Sequence, residues 1–159
     1  MASLLWETSM PHLLLTLNPA PGVTPDLRAL ALTLTALTEE HLDKDPALTA
    51  VRIEPWPETG WFIGGRSMAA DSRASYHLEV LVTAGTNDEA QIAAYLAAVH
   101  ATLARTLGPL HPVSYGVVRQ QPATAWGYGG LTQAQRRRTG RDAGGQPEPA
   151  GVQIGSSVK

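Results

Sequence analysis

Pro57-Glu58-Thr59-Gly60-Trp61-Phe62-Ile63-Gly64-Gly65 returns later in the chain as Pro122-Ala123-Thr124-Ala125-Trp126-Gly127-Tyr128-Gly129-Gly130. The proline, the threonine, the tryptophan and both glycines coincide, and Trp61 falling on Trp126 sets an offset of 65 residues. At the same offset His12 falls on His77, Val51 on Gly116 and Ile53 on Val118. Self-similarity at a fixed period marks one supersecondary unit used more than once. The chain therefore reads as two copies of one unit, repeat one over residues 11–65 and repeat two over 76–130.

Each copy contains the same elements. Met10-Pro11-His12-Leu13-Leu14-Leu15-Thr16-Leu17 opens a strand with a proline at its mouth, and Tyr76–Val82 is its counterpart. Four leucines within seven residues suggest burial on both faces of that strand. Pro19-Ala20-Pro21-Gly22 is a turn. A helix follows, with Thr24 expected as its cap, Pro25 at its first position and Asp26 in its first turn. Leu27, Leu30, Leu34 and Leu37 form its apolar stripe. In the second copy Asn87-Asp88-Glu89 opens the helix, with Ile92, Leu96, Val99, Leu103 and Leu107 as the stripe and Gly108-Pro109 as the stop. Thr49–Ile53 and Pro112–Arg119 are the closing strands. Arg66–Ser75 reads as an irregular polar connector, and 132–159, rich in Gly, Pro, Gln and Ser and carrying Arg136-Arg137-Arg138, as a disordered tail.

A strand–helix–strand crossover makes its two strands parallel and puts the helix on one face. The predicted fold class is therefore α/β: two tandem β-α-β repeats forming one four-stranded sheet, with two helices on one face. The other face should be apolar and covered by another subunit.

Composition narrows the function. The 159 residues suffice for one domain with a core, and 43% hydrophobic with 16% charged residues is a globular balance. A net charge of -2 gives no general attraction to nucleic acid or to an anionic membrane. The absence of cysteine excludes disulfides, thiolate catalysis and thiolate-bound metals. The five histidines show no metal-ligand spacing, so neither a metal nor another cofactor is expected. No apolar run reaches the roughly 18 residues of a spanning helix, and residues 1–9 lack the basic start and apolar core of a secretory signal. A cytoplasmic location is expected.

The order of these segments resembles the tautomerase superfamily, whose unit is this β-α-β element and whose chains begin Met-Pro. Thr49-Ala50-Val51-Arg52-Ile53 followed by Trp61-Phe62-Ile63-Gly64-Gly65 is similar to the second strand and C-terminal hairpin of 4-oxalocrotonate tautomerase. The fused, double-length form, with Val23-Thr24-Pro25 at the first helix, is similar to cis-3-chloroacrylic acid dehalogenase and its relatives. The resemblance spans residues 11–131 and leaves 1–10 as a leader. It implies a homotrimer, Pro11 as the catalytic amine, Arg52 as the arginine that binds a substrate carboxylate, and Trp61 as the aromatic wall. Arg119, near the corresponding strand end of the second repeat, is a further substrate-binding candidate. The dehalogenases' arginine pair is replaced here by Thr83-Ala84-Gly85-Thr86, their helix histidine falls near Glu39, and their C-terminal glutamate meets Gly127 or Tyr128. These departures disfavour hydratase-type dehalogenation.

The residues support that chemistry on their own terms. Translation from Met10 followed by its removal exposes Pro11 as a secondary amine, whereas residues 1–9, if retained, leave it an amide at a strand edge. A neutral amine near pH 7 can move a proton between carbon and oxygen beside a carbonyl, which is keto–enol tautomerisation. Tyr76 occupies the second repeat's equivalent place, so one site per chain is expected. Arg52 either holds a carboxylate in a bidentate pair or sits in a surface ion pair. The expected function is that of an isomerase acting on a small carbonyl carboxylic acid. The alternatives are a non-catalytic trimer that binds a small acid or a partner, and a dehalogenase or decarboxylase of a three-carbon acid.

Overall fold

The computed structural model describes residues 10–142. Strand β1 (His12–Asn18) lies in the middle of a four-stranded sheet, flanked by β2 (Ala50–Pro55) and by β5 (Ser75–Thr83), with β6 (Tyr115–Gln121) outermost beyond β5. β1 and β2 are parallel, as are β5 and β6. The two units meet through an antiparallel β1–β5 pair. The 65-residue offset holds in the register itself: His12 pairs with Ala50 as His77 pairs with Tyr115.

Helices α1 (Leu27–Leu42) and α2 (Glu89–Leu107) pack side by side on one face of the sheet. The alternation of β1 decides which face: Leu13, Leu15 and Leu17 are fully buried under the helices, with Leu78, Val80 and Val82 of β5 beside them. From the helices come Leu30, Leu34 and Leu42, and Tyr95, Val99, Leu103 and Leu107. Thr38 sits within the stripe of α1, its hydroxyl satisfied by the Leu34 carbonyl at 2.7 Å and by the Tyr95 hydroxyl at 3.2 Å. Leu27, expected in that stripe, is exposed.

Local chemistry sets the helix ends, with one shift from expectation. Asp26, not Thr24, caps α1: its carboxylate accepts from the Ala29 amide at 3.0 Å, and Pro25 lies outside the helix. Asp outranks Thr at this position, which moves the start by two residues. Asp88, within the expected opening Asn87-Asp88-Glu89, caps α2 in a capping box with Gln91.

Three further expectations are corrected. Residues 66–75 are not irregular throughout: Phe62–Ile63 (β3) and Arg66–Ser67 (β4) form a hairpin about Gly64 and Gly65, and Ser67 caps a short 3-10 turn at Met68–Ala70. The second repeat repeats the hairpin as Gly127–Tyr128 (β7) and Leu131–Thr132 (β8). Residues 133–142, expected within a disordered tail, are helix α3 (Gln133–Asp142); 143–159 lie outside the described residues. And the open sheet face is not apolar. Arg52, Glu54, Thr16, His77, Glu79, Tyr115 and Arg119 share it with Leu14, Leu81 and Val117.

Candidate active site

Pro11 stands immediately before β1 and is buried, its carbonyl accepting from the Ala50 amide at 3.2 Å. Because His12 pairs with Leu81 in antiparallel register, the start of β1 and the end of β5 share one end of the sheet. The loop that leads into β2 reaches the same end. It carries Lys44, between the C-terminus of α1 and the 3-10 turn Pro46–Leu48.

Lys44 is 3% exposed. Its ammonium donates to the Thr86 hydroxyl at 3.0 Å, and Thr86 in turn donates to the Thr83 carbonyl at 2.6 Å. Asn87 fastens this turn to the end of α1 through the Leu42 carbonyl at 2.9 Å. Burial pushes the Lys44 ammonium down to about 8, because desolvation penalises the charged form; neighbouring Asp43 offsets part of that. Lys44 lines a cavity of about 390 Å³ with Asp43, Ala84, Gly85, Thr86, Gln91 and Arg137. The sequence reading missed Lys44. Its only local signal is a lone cation flanked by Asp43 and Asp45, a pattern that reads as a solvated loop.

The residues picked from the sequence do not converge within one chain. Arg52 lies on the open sheet face, its side chain 60% exposed and paired with Glu54 at 3.0 Å. Arg119 lies on the same face, two strands away from His12, paired with Glu79 at 2.8 Å. Pro11 shares the alternation of Leu13 rather than that of Leu14, so its ring belongs to the other side of the sheet. Trp61 is at the opposite end of β1, in an open cleft with Thr16, Trp56, Gly60, Phe62 and His77. Five residue steps of extended chain separate Thr16 from Pro11, roughly 16 Å. Trp126, the counterpart of Trp61, is at the Pro11 end instead, its indole N–H donating to the Thr83 hydroxyl at 3.1 Å. Among the described residues no group of three or more His, Asp or Glu side chains is disposed to hold a metal ion. No helix among them is long and apolar enough to cross a membrane.

Comparison with known proteins places this architecture. No protein-family model matches the sequence, and no curated protein sequence matches it. Solved structures do. A native fused 4-OT (4-oxalocrotonate tautomerase) is 28% identical, with a TM-score of 0.66 over 82% of this chain and 99% of its own. A fused 4-OT symmetric trimer is 20% identical, with a TM-score of 0.64 over 77% of this chain and 97% of its own. A macrophage migration inhibitory factor-like protein from Entamoeba histolytica is 17% identical, with a TM-score of 0.61 over 77% of this chain and 97% of its own. The chain has the tautomerase-superfamily fold. It has that fold in its fused form, with two β-α-β units in one polypeptide, like the fused 4-OT structures.

Proposed function

We propose that the protein is a tautomerase that moves a proton on a small carbonyl carboxylic acid, with Pro11 as the base once it is the chain terminus. The observation that carries this reading is the buried Lys44 at the same end of the sheet as Pro11. Ordinary α-amines titrate near 8, and a neighbouring cation lowers that value by disfavouring a second positive charge. The amine is then neutral near pH 7 and accepts the enol hydroxyl proton while the carbonyl forms. The same proton returns to the adjacent carbon, so atoms balance with no co-reactant. Lys44 holds the substrate carboxylate and so fixes which carbon faces the amine.

Arg52 and Trp61 enter this reading through assembly. In a homotrimer, for which the fused 4-OT trimers give the precedent, the open sheet face meets a neighbouring subunit. Arg52 and Trp61 of one chain then approach Pro11 of another, although they lie apart within a chain. Arg119 takes part in the same way only if its pair with Glu79 opens.

The test has two parts. Intact mass of untagged protein from its own gene should correspond to a chain starting at Pro11. Turnover of an enol probe such as phenylenolpyruvate should fall by about 10²- to 10⁴-fold in Pro11→Ala, the range of general acid–base contributions. Undiminished turnover in Pro11→Ala would rule out the amine mechanism.

A second reading has its own support. Met10 is itself buried ahead of the strand, which suits a chain that continues through Pro11 as an amide. Such a chain binds a small acid without turning it over. A mass that retains residues 1–9 and no turnover of the enol probe would favour it.

A further inference from the structure

The arginine triplet at 136–138 takes three different positions. The Arg136 guanidinium carbon sits over the Tyr128 ring, 3.6 Å from its centre, and the side chain donates to the Tyr128 carbonyl at 2.8 Å. Arg138 is exposed. Arg137, between them, lines the same cavity as Lys44. α3 is held in that position from several sides. The Gln133 amide donates to the Trp126 carbonyl at 3.0 Å, and the Ala134 amide to the Ala123 carbonyl at 2.8 Å. Through the Trp126–Thr83 bond this anchor reaches the strand end that carries the Lys44 turn.

We propose that this cavity is a binding site for a small carboxylate, in which Arg137 of α3 supplies the second cation beside Lys44. Two cations lining one half-open cavity repel each other, a repulsion that Asp43 offsets only through space at Lys44 and that a bound anion between them would relieve. Among the described residues neither Lys44 nor Arg137 forms an ion pair, and Asp43, the one carboxylate lining the cavity, pairs with neither. The Lys44 ammonium has three protons and one bond to Thr86. The Thr86 hydroxyl spends its own proton on the Thr83 carbonyl, so it meets Lys44 as an acceptor and does not satisfy an incoming anion. A carboxylate placed between the two side chains takes a fork from the guanidinium and a point contact from the ammonium. A volume of about 390 Å³ accommodates an acid of a few carbons.

The proposal extends the assignment of Lys44 as the substrate's cation, but its test does not depend on turnover. The full chain carrying Pro11→Ala, and therefore without the amine's chemistry, is titrated calorimetrically with pyruvate and separately with inorganic phosphate. Pyruvate should bind, and Arg137→Gln should weaken it about ten-fold or more, the size of a lost charge-assisted pair. Arg137→Lys, which keeps the charge and loses the fork, should fall between the two. Arg138→Gln is the control for general charge and should leave the affinity unchanged. Equal weakening by Arg138→Gln, unaltered affinity in Arg137→Gln with a native thermal transition, or binding of phosphate but not of pyruvate would each overturn the proposal. Pyruvate binding with the expected Arg137 dependence, alongside an enol probe that the unsubstituted protein does not turn over, would uphold this site and remove the tautomerase reading.

Discussion

Lys44 sits between Asp43 and Asp45 in the sequence, yet the structure buries it and ion-pairs it with neither. Asp45 caps the 3-10 turn through the Ala47 amide, and Asp43 adopts a left-handed conformation (φ 53°) that ends α1. Burial, only partly offset by Asp43, gives Lys44 a folded-state value of about 8 against 10.5 in the unfolded chain. The unfolded chain binds the extra proton between those values, so stability rises with pH from about 8 towards 10.5. Lys44→Met should abolish this rise, read as the difference in urea midpoint between about pH 7.5 and about pH 9.5. The window must stop below pH 10, because burial raises Tyr95 to about 12 and the opposite trend begins where an unfolded tyrosine ionises. At the proposed site the same titration weakens carboxylate binding above about pH 8, since only the ammonium attracts an anion.

At the scale of elements, each boundary traces to a side chain and an orphan amide. Asp88→Ala removes the side-chain half of the α2 capping box, the carboxylate that accepts from the Gln91 amide, and should cost about 1 kcal/mol, seen as a lower thermal midpoint. Gly127 makes a sharper case. A Cβ there would land on the Leu131 carbonyl and the Thr132 backbone across the β7–β8 hairpin. Gly127→Ala should therefore separate β7 from β8, lower stability by about 2 kcal/mol and weaken carboxylate binding by moving α3. A variant of native stability and native affinity would show that α3 does not depend on the hairpin. The existence and order of the two large helices and the long strands were legible from periodicity and from the repeated Trp/Gly-Gly segment. The two hairpins were legible only in part, because two-residue strands carry no periodic signal. Helix α3 was hidden by its composition: arginine, glutamine and glycine read as solvated chain until Arg136 is seen over the Tyr128 ring.

At the scale of the molecule, the open sheet face raises the question of assembly. Its rows run Ala50–His12–Leu81–Arg119, Arg52–Leu14–Glu79–Val117 and Glu54–Thr16–His77–Tyr115, mixing ion pairs with apolar side chains. Tyr115 is 66% exposed and Phe62 60% exposed, which leaves aromatic surface beside that face. Light scattering behind size exclusion should give the mass of three chains. Leu14→Arg, which puts a third arginine beside Arg52 on this face without touching the helix-side core, should reduce it to one. A monomer in the unsubstituted protein, still active on the enol probe, would remove the shared-site account of Arg52 and Trp61.

Spacing along the chain establishes two copies of one β-α-β unit and which residues correspond between them. The offset of 65 carries through to the strand register without slippage. The antiparallel joining of the units through β1 and β5, and hence the meeting of the mouth of β1 with the turn after β5, arises from contacts distant in sequence. That junction brings Lys44, Thr86 and Arg137 together across 42 and 51 positions of chain. No local pattern encodes such a meeting, because the desolvation that lowers Lys44 comes from groups that approach it only once the sheet has closed.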